Sequence, residues 1–200
     1  MARRRWKCFG VFKKKGYQSK RSRSHRREFV RGGADSKITR FDVGNREKID
    51  WEVKIGMLCE HNINISHFAL EAVRVNINRR LIKKIGRQNF HLKIRRHPFT
   101  TYREHAMMSF AGADRLSSGM RNGFGRPVGK CARTRAGDVI MEVGCAFKDV
   151  NHIKRALYIA DKKICTTTKI VLLEAENPAH IPKVPLPYIQ NFVLPKYNIQ

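Results

Sequence analysis

The stretch Ser66–Ile94, SHFALEAVRVNINRRLIKKIGRQNFHLKI, decides the fold class because its hydrophobic period changes partway along. Leu70, Val73, Ile77 and Leu81 recur at helical spacing, which predicts an amphipathic helix from about Ser66 to Ile85. Ser66 is placed to cap it, Glu71 lies in its N-terminal half, Lys83 and Lys84 fall in the last turn, and Gly86 stops it. Four residues later Phe90, Leu92 and Ile94 alternate with His91, Lys93 and Arg95, the pattern of a strand with one apolar and one cationic face. A helix feeding a half-buried strand belongs to a mixed architecture.

The flanks read in the same way. Upstream, Trp51–Leu58 alternates with Val53, Ile55 and Met57 on one side and predicts a strand. Downstream, Pro98 interrupts the chain, and Phe99–His105 resumes in extended form. Residues 109–127, with Gly112, Gly119, Gly123, Gly125 and Pro127, hold no regular element. Val128–Arg135 and Val139–Val143 read as a hairpin reversed at Gly137-Asp138. Val150, Ile153, Leu157, Ala160 and Ile164 predict a second helix capped by Asp149, and Thr166–Leu173 a last strand. The expected fold is α+β: two helices packed on a mostly antiparallel sheet over residues 32–175. Residues 176–200 carry five of the seven prolines and read as an extended tail.

Charge separates the binding surfaces from the scaffold. The 200 residues carry 42 Lys+Arg against 16 Asp+Glu, a formal net charge of +26. Residues 1–31 contribute +12 and residues 87–135 contribute +9, while 32–86 adds only +3. Two such blocks point to a polyanionic partner. In the first, Trp6, Phe9, Val11, Phe12 and Tyr17 are interleaved with Arg3, Arg4, Arg5, Lys7, Lys13, Lys15, Arg21 and Arg23, with neither a helical nor a strand period. Cations for phosphates and rings for unpaired bases suit nucleic acid, and a solvated tail or an import signal has the same composition. Its apolar residues gather on no single face, which argues against a membrane-surface helix. No apolar run approaches the length of a membrane span, and the basic N-terminus lacks the apolar stretch of a secretory signal.

The residue sets that would mark an enzyme or a metal centre are absent. Five cysteines without CxxC spacing argue against a disulfide framework or a four-thiolate zinc site, and fit a reducing compartment. The Gly129-Lys130 pair lacks the glycine at 124 and the Ser or Thr at 131 that a phosphate loop requires, since Phe124 and Cys131 stand there. Cys59, His61 and His67 lack a completing pair, and Cys131 and Cys145 fall in predicted strands, where buried thiols are inert. Residues 87–135 hold only Glu104 and Asp114 as carboxylates, too few for a metal-dependent nuclease. The sequence therefore predicts no catalytic activity, cofactor or metal. Arg115, Arg121 and Arg126 on the small-residue loop remain, suited to insertion into folded RNA or to an ordinary surface loop.

The loop and its neighbours are also familiar. SFAGADRLSSGMRNGFGRPVG (Ser109–Gly129) closely resembles the signature loop of a universal large-subunit ribosomal protein family, ribosomal protein ten in eukaryotes and sixteen in bacteria. RGGADSKITRFDVG (Arg31–Gly44), ALEAVR (Ala69–Arg74), FHLKIRRHPF (Phe90–Phe99) and the spacing of Lys7-Cys8-Phe9 with Lys13, Lys15 and Tyr17 extend the likeness over roughly residues 3–170. Phe110, Ser117-Ser118 and Asn122-Gly123 depart from the family pattern and leave the arginines in place. The resemblance implies an α/β-hammerhead-type α+β fold, a place beside the transfer-RNA sites, and a loop directed at the peptidyl-transferase centre. Its implied tip comprises Ser109, Ala111, Gly112, Ala113, Asp114, Arg115, Leu116 and Gly119. The implied rRNA contacts are the cations of the arm with Lys93, Arg95, Arg103, Arg121, Arg126, Arg133 and Arg135. Implied partners are large-subunit rRNA, tRNA acceptor ends, neighbouring ribosomal proteins, and a nuclear-export adaptor and late maturation factors. The implied location is the cytoplasmic ribosome, with passage through the nucleus during assembly. The competing expectations are an assembly factor or RNA-modifying enzyme that visits precursors, and a DNA binder, against which the lack of a major-groove module counts.

Overall fold

The computed structural model describes residues 5–10, 30, 33–105, 120–121 and 123–175. In chain order the strands and helices are β1 (Asp42–Gly44), β2 (Val53–Cys59), β3 (Ile63–Ser66), α1 (His67–Lys84), β4 (Phe90–Ile94), β5 (Thr100–Glu104), β6 (Arg126–Thr134), β7 (Val139–Cys145), α2 (Val150–Asp161) and β8 (Thr168–Ala175). The fold is α+β, and its strands divide between two sheets. One runs β1-β4-β7-β2-β8 and the other β3-β6-β5, with every pairing antiparallel.

The alternation read from the sequence sets the core. Register aligns Phe90, Leu92 and Ile94 with Cys145, Val143 and Met141, and these with Val53, Ile55 and Met57. All nine side chains are at most 1% exposed, and both helices bury their apolar faces against them. In α1 these are Leu70, Val73, Ile77 and Leu81; in α2 they are Val150, Ile153, Ala156, Leu157 and Ala160. The Ser66 hydroxyl accepts the Ala69 N–H at 3.1 Å, and the chain leaves α1 through Gly86 at φ +92°. On the opposite sheet face Trp51 lies over Gly144, where a Cβ would stand 2.6 Å from the indole ring.

Several expectations are corrected. The β6–β7 hairpin does not form. Gly137 turns the chain at φ +85° as its sequence suggests, but its N–H bonds Cys59 O, and β6 and β7 enter different sheets. The turn is local chemistry, whereas the pairing is decided by neighbours distant in sequence. The second helix ends at Asp161 rather than Ile164, and Asp149 gives no side-chain cap because it sits in αR geometry at the end of a 3-10 turn. A hydrogen bond from Thr168 Oγ1 to Asp161 Oδ1 (2.7 Å) ties that helix end to β8, which begins at Thr168 rather than Thr166. The strands β1 and β3 have no counterpart in the sequence reading. With three and four residues they are too short to show a period.

Candidate nucleic-acid interface

The pair β5–β6 is an antiparallel ribbon that carries the glycine-rich loop. Arg103 lies opposite Pro127 and Glu104 opposite Arg126, after a register shift between Tyr102 and Arg103. Arg103 fastens the ribbon's end: its Nη1 donates to Gly125 O at 3.2 Å, and its guanidinium lies 4.6 Å from the Phe124 ring centre. Gly125 adopts φ +80° and passes so close to β5 that a Cβ would stand 2.8 Å from the Glu104 carbonyl carbon. The loop thus leaves a braced foot, where Met120, Arg121, Phe124 and Arg126 are all exposed. The tip residues Ser109, Ala111, Gly112, Ala113, Asp114, Arg115, Leu116 and Gly119 lie outside the described residues.

The other candidate cations are distributed unevenly. On β4, Lys93 is half-buried and lies across from Glu142. Arg95, just past β4, already pairs with that Glu142 at 2.7 Å, and Arg96 pairs with Asp138. The cationic face expected there is therefore partly neutralised by β7 and the turn before it. Arg133 sits half-buried opposite Asn64, and Arg135 is exposed where β6 ends. Along β6, Arg126 and Arg133 are roughly 23 Å apart at strand rise. Arg5 is exposed, Lys7 lies in a short 3-10 turn, and Arg3, Arg4, Lys13, Lys15, Arg21 and Arg23 lie outside the described residues.

The aromatic residues that open the arm belong to the scaffold. Trp6 packs edge-on against Tyr102 with centroids 5.1 Å apart, and Phe9 lies 4.9 Å from the same ring. Trp6 Nε1 donates to Asn64 O, Asn64 N donates to Gly10 O at 3.1 Å, and Asn64 Nδ2 donates to Phe9 O at 3.3 Å. These rings anchor the arm to the three-stranded sheet instead of standing open for base stacking. Gly129 makes room on that sheet, since a Cβ there would stand 2.6 Å from Tyr102 Oη and 2.8 Å from His67 Nε2. Trp6→Ala is expected to cost roughly 1–3 kcal/mol, for a half-buried ring and its contacts. It should also expose the bond after Lys7 to trypsin. Wild-type resistance to both denaturant and protease would show that residues 5–10 do not dock.

The buried titratable groups are structural. Burial pushes the Cys131 and Cys145 thiols up to about 12, which keeps them protonated near neutral pH. His67 is buried, with Nδ1 accepting the Lys37 N–H at 2.7 Å. Among the described residues, no three His, Cys, Asp or Glu side chains are grouped to hold a metal ion.

The likeness noted in the loop extends over most of the chain. A family model described as ribosomal protein L16p/L10e matches residues 17–171. A large ribosomal subunit protein uL16 of Picrophilus torridus is 44% identical over 152 residues, covering 76% of this chain and 86% of that protein. The uL16 protein of Methanoculleus marisnigri is 39% identical over 171 residues, covering 86% of this chain and 96% of its own length. That of Pinus taeda is 37% identical over 174 residues, covering 86% and 73%. Identity at this level over the sheets, both helices and the ribbon leaves one assignment: the chain belongs to the ribosomal protein L16p/L10e family.

Proposed function

We propose that this protein is a non-catalytic structural constituent of the large ribosomal subunit. In this reading it binds rRNA through its basic arm and ribbon, and loop 109–119 helps position tRNA acceptor ends near the peptidyl-transferase centre. Family membership carries the proposal, together with a braced ribbon that presents Arg121 and Arg126 beside a loop rich in glycine. Guanidinium groups on such a support reach phosphates without themselves being needed for folding. rRNA and neighbouring ribosomal proteins are the standing partners. An export adaptor and late maturation factors are the transient ones, met in passage through the nucleus before residence in the cytoplasm.

Sucrose-gradient fractionation of the tagged chain tests this. A stoichiometric band in large subunits and polysomes is expected, whereas presence only in precursor particles would make it an assembly factor or a visiting RNA-modifying enzyme. Arg115→Ala should lower the polysome fraction or stall subunit maturation while the purified variant melts like the wild type. Normal polysomes from that variant would remove Arg115 from the functional tip.

A further inference from the structure

The five-stranded sheet ends at β8, and the sequence that follows β8 supplies what that edge lacks. Among the described residues β8 pairs with β2 alone, so its outer backbone edge has no strand beside it. The other sheet edges differ. β1 is only three residues long, and β3 meets the arm, where Asn64 N donates to Gly10 O. β5 is shielded, with Thr100 and Thr101 4% and 3% exposed.

β8 is built like an interior strand. Leu172 lies across from Ile55 on the helix side and Val171 across from Gly56 on the other, yet the two are 6% and 5% exposed. With Ile170 and Leu173 they form a continuous apolar run. Such a run, buried on both faces, is the pattern of a covered strand, and an open edge of that kind pairs with whatever strand reaches it. The charges that guard natural edges are engaged elsewhere: Lys169 reaches Glu60 at 2.9 Å and Glu174 reaches Lys54 at 2.6 Å. Leu173 is skipped in the register with β2, which leaves residues 168–172 as the regular stretch.

The occupant is encoded close by. Residues 176–200 lie outside the described residues. Pro178, Pro182, Pro185 and Pro187 leave no run longer than three residues in 176–187, too short for a ladder along 168–172. Residues 188–194, YIQNFVL, hold neither proline nor charge and are rich in the aromatic and β-branched types that strands favour. Without a cation this segment has no electrostatic claim on a polyanion, which sets it apart from the N-terminal arm. The intervening residues 176–187 give it enough chain to turn back and run antiparallel, as every other pair in this sheet does. Its attachment to the end of β8 also gives it a higher effective concentration at that edge than a separate strand would have.

We infer that residues 188–194 return as a further strand of the five-stranded sheet, pairing antiparallel with residues 168–172 of β8. The tail then belongs to the domain and is not a second RNA-binding arm, so the inference stands independently of the rRNA-binding reading. A second copy of the chain, joined β8 to β8, is the competing occupant.

Hydrogen–deuterium exchange of the full chain, read amide by amide at two protein concentrations, tests this. Alternate amides of 188–194 should exchange at least about tenfold more slowly than in the isolated peptide YIQNFVL. The amides of 168–172 that face away from β2 should be protected alike, and should lose that protection in Gln190→Pro/Asn191→Pro, which removes an N–H of either parity. Amides of α1 serve as the control for an intact fold. Gln190→Ala/Asn191→Ala keeps both N–H groups and should keep the protection. Loss in both variants alike would assign the effect to side-chain contacts and overturn the strand. Either segment exchanging freely in the wild type overturns the pairing, as does protection of 168–172 that the proline variant retains. Protection that disappears on dilution reassigns the edge to a second copy.

Discussion

Leu157→Asp is expected to leave the protein largely unfolded at 25 °C. Leu157 is 0% exposed in the middle of α2 and belongs to the core shared by both helices and the five-stranded sheet. Truncating such a leucine to alanine alone costs about 2–5 kcal/mol. A carboxylate adds the penalty of taking a charge into the core, so the total rivals the roughly 5–15 kcal/mol that holds a domain together. Leu157→Met serves as the control, because a volume-conserving change costs less than about 1.5 kcal/mol. Denaturant unfolding of the three proteins decides the matter. A Leu157→Asp protein with a near-wild-type midpoint would mean that α2 does not pack as described. Leu70→Asp, at the same depth in α1, should behave alike.

How much of this was legible in the sequence depended on whether a signal was local. The helix α1 was readable because Leu70, Val73, Ile77 and Leu81 state their period, and Ser66 and Gly86 mark its ends. The buried face of β4 was equally plain, as Phe90, Leu92 and Ile94 alternate with polar residues. The partners of β6 and β7 were not legible. Gly137 announces a turn, yet nothing near it says that β7 will be claimed by β4 and β2 while β6 goes to β3 and β5. The same limit hid the structural use of Trp6 and Phe9. Their partners Tyr102 and Asn64 lie far along the chain, so the composition suggested base stacking where the fold uses the rings for docking.

Net charge alone overstates the cations available to RNA, and the ion pairs say by how much. Arg95 and Arg96 are answered by Glu142 and Asp138, Lys54 by Glu174, and Lys169 by Glu60. Pairs of this kind, each with at least one exposed or half-exposed member, are weak and can be exchanged for phosphates, but each exchange also frees a carboxylate beside the polyanion. The unopposed supply therefore lies mainly in residues 1–31, which hold 13 basic residues against one acidic. With six or more phosphate contacts, affinity for the rRNA transcript should fall on the order of a thousandfold between 50 and 200 mM salt. A flat response would contradict the polyanion reading of the whole chain. Changing Lys13, Lys14, Lys15, Arg21 and Arg23 to Gln leaves the docked residues 5–10 untouched. If each of the five meets a phosphate, the log–log slope should lose roughly four. An unchanged slope in that variant would move the contacts off the arm and onto the ribbon, where Arg126 is exposed. The size of the lost slope thus divides the binding between the basic residues of the arm and a surface that only the folded chain can assemble.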